Sequence, residues 1–324
     1  MLSRVAESLY WSARYVERAE DVTRLLDTNF HALLDGEVAD RGASWQQLVR
    51  ALGEEGTFLE HFDDYTAESV TAWMLWSEGN PNAVAECIRR ARENARAVRE
   101  QISAEMWEAI NKLFLLVRSG RQPAARGPHH FFGQVRNYAH LFQGATDATM
   151  EHGESYEFIR LGLNLERAEK TTRIVGSYVH AVELDEDDPF RPRALGHLLR
   201  SCAGFESYVR RHGTDFEPAL VAEELVRSVE SPRSVRHCLL DCLDAVERIG
   251  GDNRAPRRLL GRLCAGLEFD EPVQLSGATA GAGLGSLLSG INGVGEAVTK
   301  AYFSARIVAV GAFDAQEVQQ QQCG

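Results

Sequence analysis

Apolar positions recur at three- and four-residue spacing along almost the whole chain, the period of amphipathic helices. The pattern predicts helices over 2–34, 45–52, 68–76, 81–101, 104–117, 129–150, 154–182, 193–211, 218–229, 232–248, 254–267 and 284–307. No alternating β-branched run bounded by turn residues signals a strand. The expected class is therefore all-α, a multi-helix bundle. Asn80-Pro81 and Ser231-Pro232 each place a capping residue before a proline, the signature of a helix start. Seven glycines between Gly277 and Gly295 predict a loop and a weakened start to the last helix. Gln319–Gly324 reads as a frayed tail.

Two segments echo each other within this pattern. ERAEDVTRLL at 17–26 returns as ERAEKTTRIV at 166–175, an offset of 149 with six of ten positions identical. PRALGHLLRSC at 192–202 resembles PRSVRHCLLDC at 232–242. Both echoes predict internally duplicated helical hairpins around a pseudo-twofold axis. The expected organisation is an N-terminal half, 1–183, carrying both Glu-Arg helices, with a C-terminal half, 184–324, packed on it.

The faces of these helices follow from an advance of about 100° per residue. Leu9, Ala13, Val16 and Thr23 lie within about 60° of Glu20, and Glu17 and Arg24 share that side. Phe158, Gly162, Leu165 and Thr172 flank Glu169 similarly, with Glu166 and Arg173 beside it. A carboxylate in an apolar stripe must be paired, protonated or turned toward a ligand. Arg24 and Arg173, each four residues on, are the local partners for Glu20 and Glu169. Arg18 falls about 160° away, among Trp11, Tyr15, Val22 and Leu25. The first helix is thus apolar nearly all round, and Arg18 and Arg167 are expected to bond to carboxylates or carbonyls of other helices. Two roles remain open for the Glu-Arg pairs: a buried network fixing helix register, or a ligand-facing site. A further stripe, Arg89, Arg92, Arg96 and Arg99, reads either as a solvated face with local salt bridges or as an anion clamp.

Composition sharpens the picture. Of 35 basic residues only Lys112, Lys170 and Lys300 are lysines, leaving 32 arginines. Codon usage in a GC-rich genome accounts for arginine over lysine but not for where the arginines sit. The net charge of −12 argues against a nucleic-acid partner. Charge arrives too early at the N-terminus for a signal peptide, and no apolar run is long enough to cross a membrane. The six cysteines form no CxxC pair, so a reduced, cytoplasmic chain is expected.

No glutamate has a histidine three residues on, as di-iron carboxylate bundles require. HExxH, GxxxxGK[ST] and GxSxG are absent, so neither metal nor cofactor is expected. His129-His130 read as surface or capping residues, His152 as lying near Glu166, and His197 and His237 as structural residues at helix starts. Trp45, Trp73, Trp76 and Trp107 read as core or interface anchors.

The segments MLSRVAESLYWSARYVERAED, RENARAVREQISAEMWEAIN, LGLNLERAEKTTR and SPRSVRHCL together resemble the bacterial alpha-E family, helical domains of unknown function marked by a Glu-Arg motif. The likeness spans roughly 1–307 and carries the motif onto Glu17-Arg18 and Glu166-Arg167. Members are typically encoded beside, or fused to, circularly permuted ATP-grasp ligases, with transglutaminase-like and proteasome-like hydrolase genes nearby. The resemblance therefore implies a helical partner of a peptide or amide ligase, binding the ligase or an acidic peptide substrate through its Arg and Glu-Arg helices. A second reading is an enzyme in peptide synthesis or modification whose site lies between the two Glu-Arg helices. There Glu17, Glu20, Glu166 or Glu169 would be acid or base, and Arg18, Arg24, Arg167 and Arg173 would hold an anion. A third is a structural bundle that forms homo-oligomers.

Overall fold

Among residues 1–34, 41–120, 128–181, 191–270 and 280–304, which the computed structural model describes, there are helices and no strand. In chain order they are α1 (Ser3–Leu34), α2 (Arg41–Leu52), α3 (Glu55–Leu59), α4 (Ala67–Trp76), α5 (Val84–Ala97), α6 (Ala104–Ser119) and α7 (Pro128–Thr149). Then follow α8 (Glu154–Ala181), α9 (Arg191–Ser201), α10 (Phe205–His212), α11 (Pro218–Ala222), α12 (Val235–Ile249), α13 (Arg254–Phe269) and α14 (Ala280–Val298). The all-α class is what the chain adopts. Position 183, the expected boundary between halves, lies outside the described residues, as do Cys323, the 319–324 tail and the last predicted helical positions, 305–307.

The two Glu-Arg helices form the axis of the molecule. They run side by side in the same direction: the Met1 ammonium donates to Glu154 at 3.0 Å, the Tyr10 carbonyl abuts Gly162, and Arg18 reaches Glu166. Around α1 pack α5 and α7, with α6 against both; around α8 pack α12 and α14, with α13 against both. Val84 and Val235 open α5 and α12 at an offset of 151, and Ala104 and Arg254 open α6 and α13 at 150. The 149-residue echo therefore marks one contact in a repeat that runs through most of the described chain. The 192–202 and 232–242 echo does not: Pro192 lies inside α9, whereas Pro232 and Arg233 precede α12. The structural counterpart of Ser231-Pro232-Arg233 is Asn80-Pro81-Asn82, ahead of α5.

Several local expectations shift for identifiable reasons. The helices after Asn80 and Ser231 start later than expected, at Val84 and Val235, and Ser234 is the residue that caps α12, accepting from the His237 amide. The predicted 193–211 helix is two helices, α9 and α10. Ala203 adopts φ +53° at the break, and a Cβ on Gly204 would meet Leu225 at 2.9 Å. α11 continues as a π-helical turn over Glu223–Arg227, and α14 as another over Thr299–Phe303. The glycine-rich segment from 280 onward is helical, contrary to its propensity. Gly290 lets α14 approach Leu263 of α13 where a Cβ would come within 2.7 Å, so packing overrides the backbone entropy cost. Trp45 and Trp73 are core residues, while Trp76 and Trp107 cover its edge.

Gly162 sits where α1 and α8 touch, and a methyl group there would collide with the Tyr10 carbonyl. Gly162→Ala should cost about 1–3 kcal/mol in urea unfolding by forcing the two helices apart. Gly176→Ala, farther along α8 with open space around its Cβ, should instead stabilise by about 0.5–1 kcal/mol.

Candidate functional site

The two Glu-Arg pairs cross. Arg18 donates from Nε to Glu166 Oε1 at 2.6 Å and from Nη2 to Oε2 at 3.0 Å, a two-pronged contact from α1 to α8. Arg167 returns it, donating from Nε to Glu17 Oε1 at 2.8 Å. Each arginine thus takes the other helix's glutamate, as a twofold relation between the copies requires. Arg18 and Arg167 make the interhelical bonds that their position opposite Glu20 and Glu169 predicts.

Residues outside the motif complete the network. Arg14 donates to Glu166 at 2.6 Å, to Glu169 at 2.7 Å and to the Tyr10 hydroxyl at 3.0 Å. Lys170 lies 3.8 Å from Glu166 and is itself buried. On the other side Arg233, in the turn before α12, contacts Glu17, Glu20 and Asp21 at 2.8, 2.7 and 2.7 Å. Gln143 of α7 donates to Glu17 at 2.6 Å and accepts from Arg167 at 3.0 Å. Asn82 accepts from Arg18 at 2.6 Å. The local partners also form: Arg24 bonds to Glu20, and Arg173 donates to Glu169 at 3.0 Å.

Burial and charge set the chemistry of these groups. Glu17, Glu20 and Glu166 have no exposed surface. Burial pushes the Glu166 carboxyl up, but Arg18, Arg14 and Lys170 together outweigh it and hold the group far below the usual carboxylate range. Glu20 is held low in the same way, burial being outweighed by Arg233, His140 and Arg24. Glu169 is also lowered, with Lys170, Arg14 and Arg173 opposing burial and its neighbour Glu166. Asp21 goes the other way. Burial and the adjacent Glu17 and Glu20 push its carboxyl up against the pull of Arg233, and its Oδ2 has no hydrogen-bond partner. Carboxylates saturated by guanidinium groups are ion-pair acceptors and not proton carriers, and of Glu17, Glu20, Glu166 and Glu169 only Glu169 has some solvent access, its side chain 12% exposed.

Two clefts flank the α1–α8 pair, and they correspond under the 149-residue offset. One, of about 420 Å³, is lined by Tyr10, Trp11, Arg14, Glu169, Asn292 and Glu296 among others. The other, of about 220 Å³, has Ile159, Arg160 and Leu163 in the places of Tyr10, Trp11 and Arg14, and Gln143 and Asp147 in those of Asn292 and Glu296. The two copies therefore differ: Arg160, Arg167 and Asp147 share the wall of the smaller cleft with Ile159 and Leu163, whereas an aromatic pair and the buried Arg14 wall the larger.

The arginine stripe stands apart from this centre. Arg89 and Arg96 are held by Glu86 and Glu93 of their own helix, Arg92 by Asn111, and Arg92 and Arg99 lie over the Trp107 ring. Arg99 lies beyond the end of α5, so the stripe bends away there. His152 is not near Glu166: it stacks on Tyr156 and contacts the Asp147 carbonyl. His197 is inside α9 and not at its start, and burial pulls it down to about 4. The buried thiols of Cys87, Cys202 and Cys238 are pushed up to about 12, which makes them inert. Sequence reasoning missed Arg14, Lys170, Asp21 and Arg233. Arg14, one turn before Arg18, was within reach of the face calculation; Arg233 shows only when the 151-residue offset aligns it with Asn82.

Arg18→Met should cost about 3 kcal/mol at neutral pH because it leaves Glu166 buried with one guanidinium fewer. Glu166 is depressed in the folded protein, so its contribution is present above its ordinary value of 4.5 and is lost as pH falls below that. The gap between variant and wild type in urea unfolding should accordingly narrow from pH 7 to below 4.5.

Comparison with known proteins agrees with this geometry. A family model described as "a predicted alpha-helical domain with a conserved ER motif" matches residues 1–303. Uncharacterised proteins of Mycobacterium bovis and Mycobacterium tuberculosis are each 24% identical over 314 aligned residues, covering 89% of this chain and 35% of theirs. The chain thus spans about a third of the length of these curated relatives. No solved structure matches significantly. With both of its Glu-Arg motifs at the centre of the helical core, the chain belongs to the Alpha-E family.

Proposed function

We propose that this helical chain serves as the non-catalytic partner of an ATP-grasp-type peptide or amide ligase, binding the ligase or its acidic substrate. The observation that carries the reading is closure of the Glu-Arg centre. Three of the four carboxylates that an internal catalytic site would use are unreachable, so the centre holds two helices together and leaves function to the outer surface. The mycobacterial relatives support it, since there the helical region is joined to a longer chain. No described helix is long and apolar enough to cross a membrane, and a partner of an ATP-consuming ligase works in the cytoplasm. Arg89, Arg90 and Arg118 line a groove of about 560 Å³ with Trp76, Glu78 and Glu86. Although Glu86 pairs with Arg89 and Arg90, the three guanidiniums outnumber the two carboxylates and favour an acidic chain there. The alternative enzyme reading rests on Glu169 and its cleft.

Affinity-tagged protein should co-purify with the ATP-grasp ligase of its own genome in the presence of ATP, magnesium and an oligoglutamate peptide. Charge reversal by Arg89→Glu with Arg118→Glu should weaken that association by about tenfold or more at low salt, with little change in melting temperature. Failure of the wild-type chain to associate under all these conditions would overturn the proposal, and activity lost in Glu169→Gln alone would favour the enzyme.

A further inference from the structure

Away from the Glu-Arg centre, the far end of α1 meets the start of α7 around one buried carboxylate. Asp27 Oδ1 lies 2.6 Å from His129 Nδ1 and 3.8 Å from His31 Nε2, and the two imidazole rings stand 4.2 Å apart. One donor atom from each of the three residues falls within 4.8 Å of the others. Arg136, two turns along α7, donates to the remaining oxygen, Asp27 Oδ2, at 2.5 Å and so turns Oδ1 toward the histidines. The carboxylate is buried, while His31 is 59% exposed on its side chain, so the cluster is anchored on one side and open to water on the other.

We propose that Asp27, His31 and His129 bind one divalent transition-metal ion, zinc in preference to calcium or magnesium. Two imidazoles and one carboxylate are a borderline donor set, matched to zinc, cobalt or nickel and too poor in oxygen for the hard cations. Metal–ligand bonds of about 2.0–2.2 Å place neighbouring donor atoms about 3.3 Å apart in a tetrahedron, between the 2.6 and 3.8 Å found, so small ring rotations bring all three into range. Arg136 supplies the outer hydrogen bond that orients a ligating carboxylate. Three protein ligands leave a fourth position for water or a substrate oxygen, facing solvent past His31.

An ion-pair clamp between α1 and α7 accounts for Asp27, Arg136 and His129, with His31, which recurs as His180 in the second copy, at its open side 3.8 Å from Asp27. The fold does not require an acid here: Gly176 occupies the place of Asp27 in the second copy. The sequence scan for metal motifs missed the cluster because His129 is 102 positions from Asp27, and only the antiparallel pairing of α1 with α7 unites them.

The test uses the full chain, stripped with chelator and titrated with zinc chloride by calorimetry, and with cobalt chloride followed by visible absorption. One equivalent of zinc should bind, and cobalt should give the absorption of a low-symmetry nitrogen–oxygen site. His31→Ala and His129→Ala should each weaken zinc at least about tenfold. His31 is exposed, so its variant should melt as the wild type does without metal. Absence of saturable binding, or wild-type zinc affinity in either histidine variant, would overturn the site. The outcome is independent of whether the chain associates with a ligase.

Discussion

The exchange of glutamates between Arg18 and Arg167 is the constraint around which the molecule is arranged. Two buried carboxylates, Glu17 and Glu166, receive the partner helix's guanidinium only if α1 and α8 lie parallel and in one register. Sliding either helix by a turn would break the Arg18–Glu166 and Arg167–Glu17 contacts together, a penalty of several kcal/mol for each ion left uncompensated. Apolar packing alone is more tolerant, because Leu, Val and Ala faces of similar helices can interlock in more than one register. The ion pairs thus add specificity to a seam whose stability comes from the burial of Leu9, Val16, Val22, Leu161 and Leu165. They also explain the arginines: a planar fork takes two carboxylate oxygens at fixed geometry, as Arg18 does with Glu166, and a lysine could not.

Around that shared crossing the two copies neutralise themselves differently. Glu17 draws on Arg233 from the turn before α12, and the matching position, Asn82, offers only an amide to Arg18. Glu166 draws instead on Arg14 and Lys170, where the other copy has Leu163 and Asp21. One consequence is that Glu17, Glu20 and Asp21 crowd a single guanidinium. The strain settles on Asp21, which is raised while Glu20 is held low. Another is that Arg14 stands in the wall of the larger cleft, whereas Leu163 takes its place in the smaller, whose guanidiniums come from Arg160 and Arg167. Symmetry fixed the scaffold, and its breaking supplied the chemical differences.

What was legible in the sequence was what depends on local spacing. Helical period gave the class and most elements, and the 100° step correctly set Arg18 opposite Glu20 and assigned Arg24 and Arg173 as intrahelical partners. What failed depended on long-range packing. The glycines of α14 look like a loop, and only docking on α13 shows that one of them, Gly290, makes room for Leu263. The break between α9 and α10 depends on Leu225 pressing against Gly204, which no periodicity reports. Arg233 meets Asp21 across 212 positions, so its role appears only once α12 is docked on α8. The echo at 192–202 misled for the opposite reason: similar letters fell in a helix once and in a turn the second time.

Internal duplication offers a physical control that a single-copy protein lacks. Where both copies keep a polar residue, as at Glu17 and Glu166, the shared scaffold is sufficient reason for it. Where one copy manages with glycine or leucine, packing does not compel the polar residue in the other. Arg14 against Leu163 and Asp27 against Gly176 are differences of that kind, and both border open space, the larger cleft in one case and the exposed His31 in the other. Arg14 still has an internal duty, since it compensates Glu166 and Glu169. Asp27 with His31 does not compensate any acid of the central seam. By that criterion Asp27, though not His31, whose counterpart is His180, marks the joint between α1 and α7 as a place where this chain departs from what its fold alone demands.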